Sequence, residues 1–226
     1  MIRVIAHRGK HDTSRQNTLA SYREALAAGA DAAELDVRMT RDGNAVLAHD
    51  PVHWHAGRPY LVRMSPAARL RFLARLDEVL AETRTAAHQV PVVLDAKRAA
   101  DLPAIADWCR QRIRDLHQVA LWCRDPDQVR RLDGRHEFGE VALLPGRATV
   151  SVYLKTAASV GADVVSLHPE VLTAASVDWA HRAGLRAYAW IRARGDHQHA
   201  VDCGVDGLVT DWIDEALRAA GRAPAQ

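Results

Sequence analysis

The chain has 226 residues, 48% of them apolar and 26% charged, with a formal net charge of +2. That is ample material for a buried core, and it excludes a disordered or fibrous chain. No block of five like charges occurs, so nucleic acid is not an expected partner and membrane contact is at most peripheral.

The first apolar run starts almost at once, without a basic segment and a signal-type core before it, and no apolar run approaches 18 residues. The expectation is a soluble, cytoplasmic protein. Cys109, Cys123 and Cys203 form no CxxC pair and are odd in number, which argues against a disulfide framework or a structural zinc site. They are expected to be buried thiols.

In chain order, short apolar runs alternate with helical patterns. Strands are expected at 3–6, 32–37, 90–95, 118–122, 140–144, 163–167, 186–190 and 207–210. Helices are expected at 18–28, 65–75, 77–87, 102–114, 126–132, 173–183, 195–203 and 211–220, with the arginines of 69–75 on a solvated helix face. Gly29, Gly184 and Gly204 each stand between a helical pattern and a strand, where a helix end wants a left-handed residue. Segment 53–65 is polar and expected to be strandless, and 221–226 is expected to fray.

Eight nearly continuous apolar strands separated by helices imply parallel pairing with both faces covered. A doubly wound open sheet fits the alternation too, but a count of eight favours an α/β fold of the (β/α)8 TIM-barrel type. One domain over 1–220 is expected, with a reduced insertion after the second strand region.

In such a barrel the reacting groups lie at the C-terminal strand ends. Four successive apolar runs end in ionisable residues: His7-Arg8-Gly9, Glu34-Leu35-Asp36, His49-Asp50 and Asp95-Ala96-Lys97. Glu34 and Asp36, two apart on a strand, share one face, where two carboxylates repel unless a cation lies between them. Oxygen-only ligands select a hard ion, Mg²⁺ or Ca²⁺. His7 and His49 can serve as acid or base near neutral pH, and Arg8 offers a donor fork to phosphate oxygens. Lys97 shares a face with Asp95. Trp190 ends the seventh strand and His168 the sixth, and both are candidates for the substrate pocket. The remaining histidines, His11, His88, His117, His136, His181, His197 and His199, are expected at the surface.

The runs Ile5-Ala6-His7-Arg8-Gly9, Asn17-Thr18-Leu19-Ala20-Ser21-Tyr22, Gly29–Val37, Thr40-Arg41-Asp42-Gly43 and Ala48-His49-Asp50-Pro51 resemble the glycerophosphodiester phosphodiesterase family in order and spacing. The resemblance is strong over 2–51 and returns faintly near Gly204–Asp211. It implies divalent-metal-dependent hydrolysis of a glycerophosphodiester to an alcohol and glycerol 3-phosphate. It also implies His7 and His49 as the acid/base pair, Glu34, Asp36 and Asp95 as metal ligands, and Arg8 and Lys97 on the phosphate. Two positions depart from the family pattern. Asp95 stands where a Glu is usual, although the similar spider-venom phospholipases D carry Asp there. Gln16 replaces a Glu, so any electrostatic role of that carboxylate is lost. A phospholipase D acting on lysophospholipids and a non-catalytic barrel binding a phosphorylated ligand are the alternatives.

Overall fold

The structure is a computed structural model that describes residues 1–11, 15–85, 91–146 and 148–224. Eight parallel strands close into a barrel: β1 (Arg3–His7), β2 (Ala32–Met39), β6 (Val92–Ala96), β7 (Val119–Cys123), β8 (Glu140–Leu143), β9 (Val164–Leu167), β10 (Arg186–Trp190) and β11 (Gly207–Thr210). Pairing of β1 with both β11 and β2 closes the ring and excludes the open sheet.

The connecting helices are α1 (Leu19–Ala27), α2 (Leu76–Thr85), α3 (Leu102–Arg112), α4 (Pro126–Arg130), α5 (Val150–Ser159), α6 (Ala174–Arg182), α7 (Asp196–Asp202) and α8 (Ile213–Ala219). Their apolar stripes pack on the outer strand faces in one large cluster, which includes Tyr22, Leu35, Leu94, Ile105 and Leu154. Thr18 and Thr173 open α1 and α6 with reciprocal capping boxes to Ser21 and Ser176. Gly29, Gly184 and Gly204 take φ of 87°, 76° and 84°, as helix-ending residues should.

Inside the barrel lies a second cluster that includes Ile5, Ala32, Val93, Ala120, Ala142, Val164, Tyr188 and Val209. Side chains alternate along a strand, so these residues define which positions point inward. Steps of two from them reach His7, Glu34, Asp36, Asp95, Lys97, Arg124, His168, Trp190 and Asp211. The chemistry therefore occupies the inward face at the C-terminal end. Lower in the barrel, buried Glu140 accepts hydrogen bonds from Arg3 (2.9 Å), Tyr188 (2.9 Å) and Trp122 Nε1 (3.2 Å).

Three expectations need correction. Segment 53–65 is not strandless: β4 (Val52–His55) and β5 (Arg58–Leu61) form an antiparallel hairpin turning at Ala56-Gly57. Segment 65–75 is not an α-helix, so its arginines have no helix face. It holds one 3₁₀ turn at Ala67–Arg69, and Arg75 bridges to Val46 because the chain is anchored there by Leu70 in a small cluster with Val46, Ala48 and Val62. Helix α5 lies where no helix was expected. The apolar run 45–48 forms β3 (Ala45–Leu47), which pairs antiparallel on β2, outside the ring. The expected strand start at Val90, the helix end at Ala87, and His88 lie outside the described residues. All three cysteines are free and buried.

Candidate active site

The centre of the site is an acidic cluster. Glu34, Asp36 and Asp95 are almost fully buried and can each offer one oxygen within 4.8 Å of the others. In-register pairing of β2 with β6 aligns Asp36 with Asp95, and this is what assembles the trio. Asp36 is held from several sides. Asn17 donates to Asp36 Oδ2 (2.8 Å) and accepts from the Asp36 N–H (2.9 Å), while Arg8 Nε and Lys97 Nζ lie 3.0 and 3.1 Å from its oxygens. Burial works against its charge, but Lys97, Arg8 and Asn17 outweigh that and hold its carboxyl below the usual range.

Glu34 has much less support. It accepts the Arg8 backbone N–H at 3.0 Å. Burial, then Asp36 and Asp95, push its carboxyl well above the usual range. An oxygen-only trio with one strongly disfavoured charge suits a hard divalent cation, which would supply the missing compensation. Asp95 pairs with Lys97 Nζ (3.0 Å) and with Arg124 Nη1 (3.1 Å). Arg124, half exposed at the end of β7, was missed by the sequence reading; its two-residue step from inward-facing Trp122 was the available signal.

Arg8 and Asn17 are non-glycine residues with φ of 56° each, so two left-handed corners bend the post-β1 loop over the cluster. A Cβ at Gly9 would lie 2.6 Å from Ser21 backbone and side-chain atoms, which explains the glycine there. Gln16 accepts from Arg8 Nη1 at 2.9 Å, so the amide still steadies the guanidinium although it carries no charge.

His7 Nδ1 lies 2.8 Å from Asp211 Oδ1, and His11 Nε2 lies 3.2 Å from the same oxygen. An ionised carboxylate only accepts, so His7 donates through Nδ1 and turns Nε2 away from Asp211. His49 does the same with Asp50, at 2.9 Å. Its position has a different origin from the other strand-end residues. It follows β3, which runs back along β2, and the Arg38 guanidinium grips the His49 carbonyl at 2.7 Å. Two histidine expectations fail: His11 joins Asp211 at the site, and His197 is buried, bonded to Thr210 Oγ1 at 2.9 Å. His117, His136, His181 and His199 are exposed as expected.

A cavity of about 450 Å³ joins His7, Arg8, Glu34, His49, Asp95 and Lys97 to a more apolar wall that includes Trp122, Leu144, Val171 and Trp190. Trp190 meets His7 and His168 edge-on, each with ring centroids 5.9 Å apart, and Arg192 covers its face at 4.9 Å. The structure thus brings every expected site residue except Asp36 to one cavity, and Asp36 lies directly beneath through Arg8 and Lys97. Among the described residues no helix is long and apolar enough to cross a membrane.

Comparison with known proteins gives the same direction. The profile of the glycerophosphoryl diester phosphodiesterase family matches residues 7–117. A glycerophosphodiester phosphodiesterase of Caldanaerobacter subterraneus is 49% identical over 47 residues, covering 21% of this chain and 19% of that protein. The chain thus aligns with only about a fifth of that curated relative. The solved glycerophosphodiester phosphodiesterase of Thermotoga maritima shares the fold over 98% of this chain and 99% of its own, with a TM-score of 0.79 at 18% identity. An Oleispira antarctica phosphodiesterase, solved with the product sn-glycerol-3-phosphate, covers 97% and 96% with a TM-score of 0.75 at 18% identity. Over residues 7–117, just under half of its length, the chain is similar to the glycerophosphoryl diester phosphodiesterase family.

Proposed function

We propose that this protein hydrolyses a glycerophosphodiester to an alcohol and glycerol 3-phosphate, using a divalent cation held by Glu34, Asp36 and Asp95. The observation that carries this is the cavity in which two carboxylate-oriented histidines flank that buried acidic trio. The bound ion would offset charge on the non-bridging phosphate oxygens.

The chain's own residues do the rest. Arg8 and Lys97, already seated among the carboxylates, orient the phosphodiester by charge-assisted hydrogen bonds. His7 and His49 act as the acid/base couple, one taking a proton from the nucleophile and the other giving one to the leaving alkoxide. Asp211 and Asp50 keep both Nδ1 atoms occupied as donors, so that each Nε2 is the atom that exchanges protons. The product bound to the Oleispira antarctica phosphodiesterase supports glycerol 3-phosphate as the product here. The apolar wall around Trp122 and Trp190 favours a second reading, a lysophospholipid whose acyl part lies along it.

The test is turnover by EDTA-stripped protein of glycerophosphocholine and lysophosphatidylcholine, with Mg²⁺ or Ca²⁺ restored, followed by ³¹P NMR. Metal-dependent glycerol 3-phosphate that vanishes in His7→Ala and His49→Ala is the expected result. A signal from the lysolipid alone, as cyclic phosphate or lysophosphatidate, would move the assignment to the second reading. No turnover of either substrate by folded, metal-loaded protein would sink both.

A further inference from the structure

The β4–β5 hairpin is built with an inverted pattern. Register pairs Val52 with Leu61, His53 with Tyr60, Trp54 with Pro59 and His55 with Arg58. Because side chains alternate, Val52, Trp54, Pro59 and Leu61 share one face, and His53, His55, Arg58 and Tyr60 share the other. The second face makes the contacts to the protein through His55, whose ring stacks on Phe72 at 4.3 Å, and Tyr60, which meets the same ring at 5.3 Å, while Arg58 at its end stays exposed. The apolar face points outward, with Trp54 72%, Val52 38% and Leu61 37% exposed, and Met64 just beyond at 63%. A solvated hairpin face has no reason to be all apolar.

Within the stretch that carries this face, charge has one sign, although Asp42 and Asp50 lie beside it. Residues 52–76 contain five arginines and no aspartate or glutamate. Arg58, Arg63, Arg69 and Arg71 are exposed, while Arg75 is tied to Asp77. They are separated in the sequence by apolar residues and so form no contiguous basic block.

The hairpin also adjoins the cavity. It leaves the barrel at Pro51, two residues after His49, its base closed by the bond from Val62 N to Pro51 O (3.0 Å), and His53 bonds the Asp50 carbonyl at 3.0 Å.

We propose that the outer face of this hairpin docks on an anionic lipid bilayer and sets the cavity mouth at its surface. An exposed tryptophan with aliphatic neighbours suits the interfacial zone of a membrane, and surrounding arginines suit anionic headgroups. Four or five apolar side chains fall far short of the roughly 20–30 residues a side that a stable protein partner would cover. The proposal rests on the hydrolase reading for its purpose, delivery of a lipid-borne phosphodiester, but docking itself needs no turnover.

The test is sedimentation of the full chain with vesicles of phosphatidylcholine alone or containing about 30% phosphatidylglycerol. Binding is expected with the anionic vesicles only, and it should weaken at high salt. Trp54→Ala, and separately the pair Arg58→Glu and Arg63→Glu, should lower the partition coefficient about tenfold or more while hydrolysis of soluble glycerophosphocholine is unchanged. No partitioning of the unmodified protein, or equal partitioning of Trp54→Ala, would overturn the proposal. So would self-association that Trp54→Ala abolishes, which would assign the face to a second copy. Vesicle binding without hydrolysis would leave docking standing and remove the hydrolase reading.

Discussion

The His7 ring and the Asp211 carboxylate, 204 positions apart, meet at 2.8 Å because β1 and β11 are neighbours in the closed barrel. Partial burial opposes the Asp211 charge, but donation from His11 and His7 outweighs it, and the carboxyl is held far below its usual range. Asp211 is therefore ionised throughout the neutral range, as a positioning residue must be. Since its folded value is depressed, its contribution to stability is present above the unfolded value near ~3.9 and is lost as pH falls toward the folded value.

Asp211→Asn should leave His7 poorly oriented and free to adopt the wrong tautomer. We expect kcat to fall by about 10–100-fold with little change in KM, read from steady-state kinetics on a soluble substrate. His11→Ala should have a smaller effect, since His7 keeps its own bond to Asp211. Equal losses in the two variants would show that the three residues act only as a structural unit.

Glu34 predicts proton-coupled metal binding. Its carboxyl is raised by burial and by its acidic neighbours, and a ligand must be deprotonated. Mg²⁺ or Ca²⁺ binding should release protons, and affinity should increase with pH until Glu34 is ionised in the free protein. Calorimetry in two buffers of different ionisation enthalpy measures this. Saturation at 100 times Kd should also stabilise the fold by about 2.7 kcal/mol, seen as a higher Tm.

Asn17→Ala removes both hydrogen bonds that fix Asp36 and places a β-carbon residue without a polar side chain at φ 56°. The cost should be about 1–3 kcal/mol in stability, with about 10–100-fold weaker metal binding. Chemical denaturation and a metal titration read the two effects separately.

Glu140→Ala tests the barrel floor, remote from the reacting groups. It takes the carboxylate from the Arg3 guanidinium, which keeps Tyr188 OH at 3.3 Å, and from two aromatic donors, Trp122 Nε1 and Tyr188 OH. A loss of about 3 kcal/mol is expected, at the low end for a buried pair because Arg3 keeps some solvent contact. Denaturant unfolding should show it, and kcat of the remaining folded protein should change little.

Sequence alone determined the eight barrel strands and which strand-end residues share a face. Continuous apolar runs have few structural alternatives, and residues two apart share a side. That is why Glu34 with Asp36, Asp95 with Lys97, and His7 could be singled out from local text. The hairpin was hidden because its alternation is inverted, with the apolar residues outward and His53 and Tyr60 the less exposed positions, so it resembles a polar loop. Helix 65–75 was expected from composition, but the anchoring of Leu70 and the Arg75 bridge to Val46 overrode it. Only tertiary structure could decide the partners from distant positions. Asp211 reaches both His7 and His11, Arg124 reaches Asp95, and Asn17 reaches Asp36 through barrel closure and left-handed loop corners. Such contacts depend on strand order and register around the ring, which no local pattern of residues encodes.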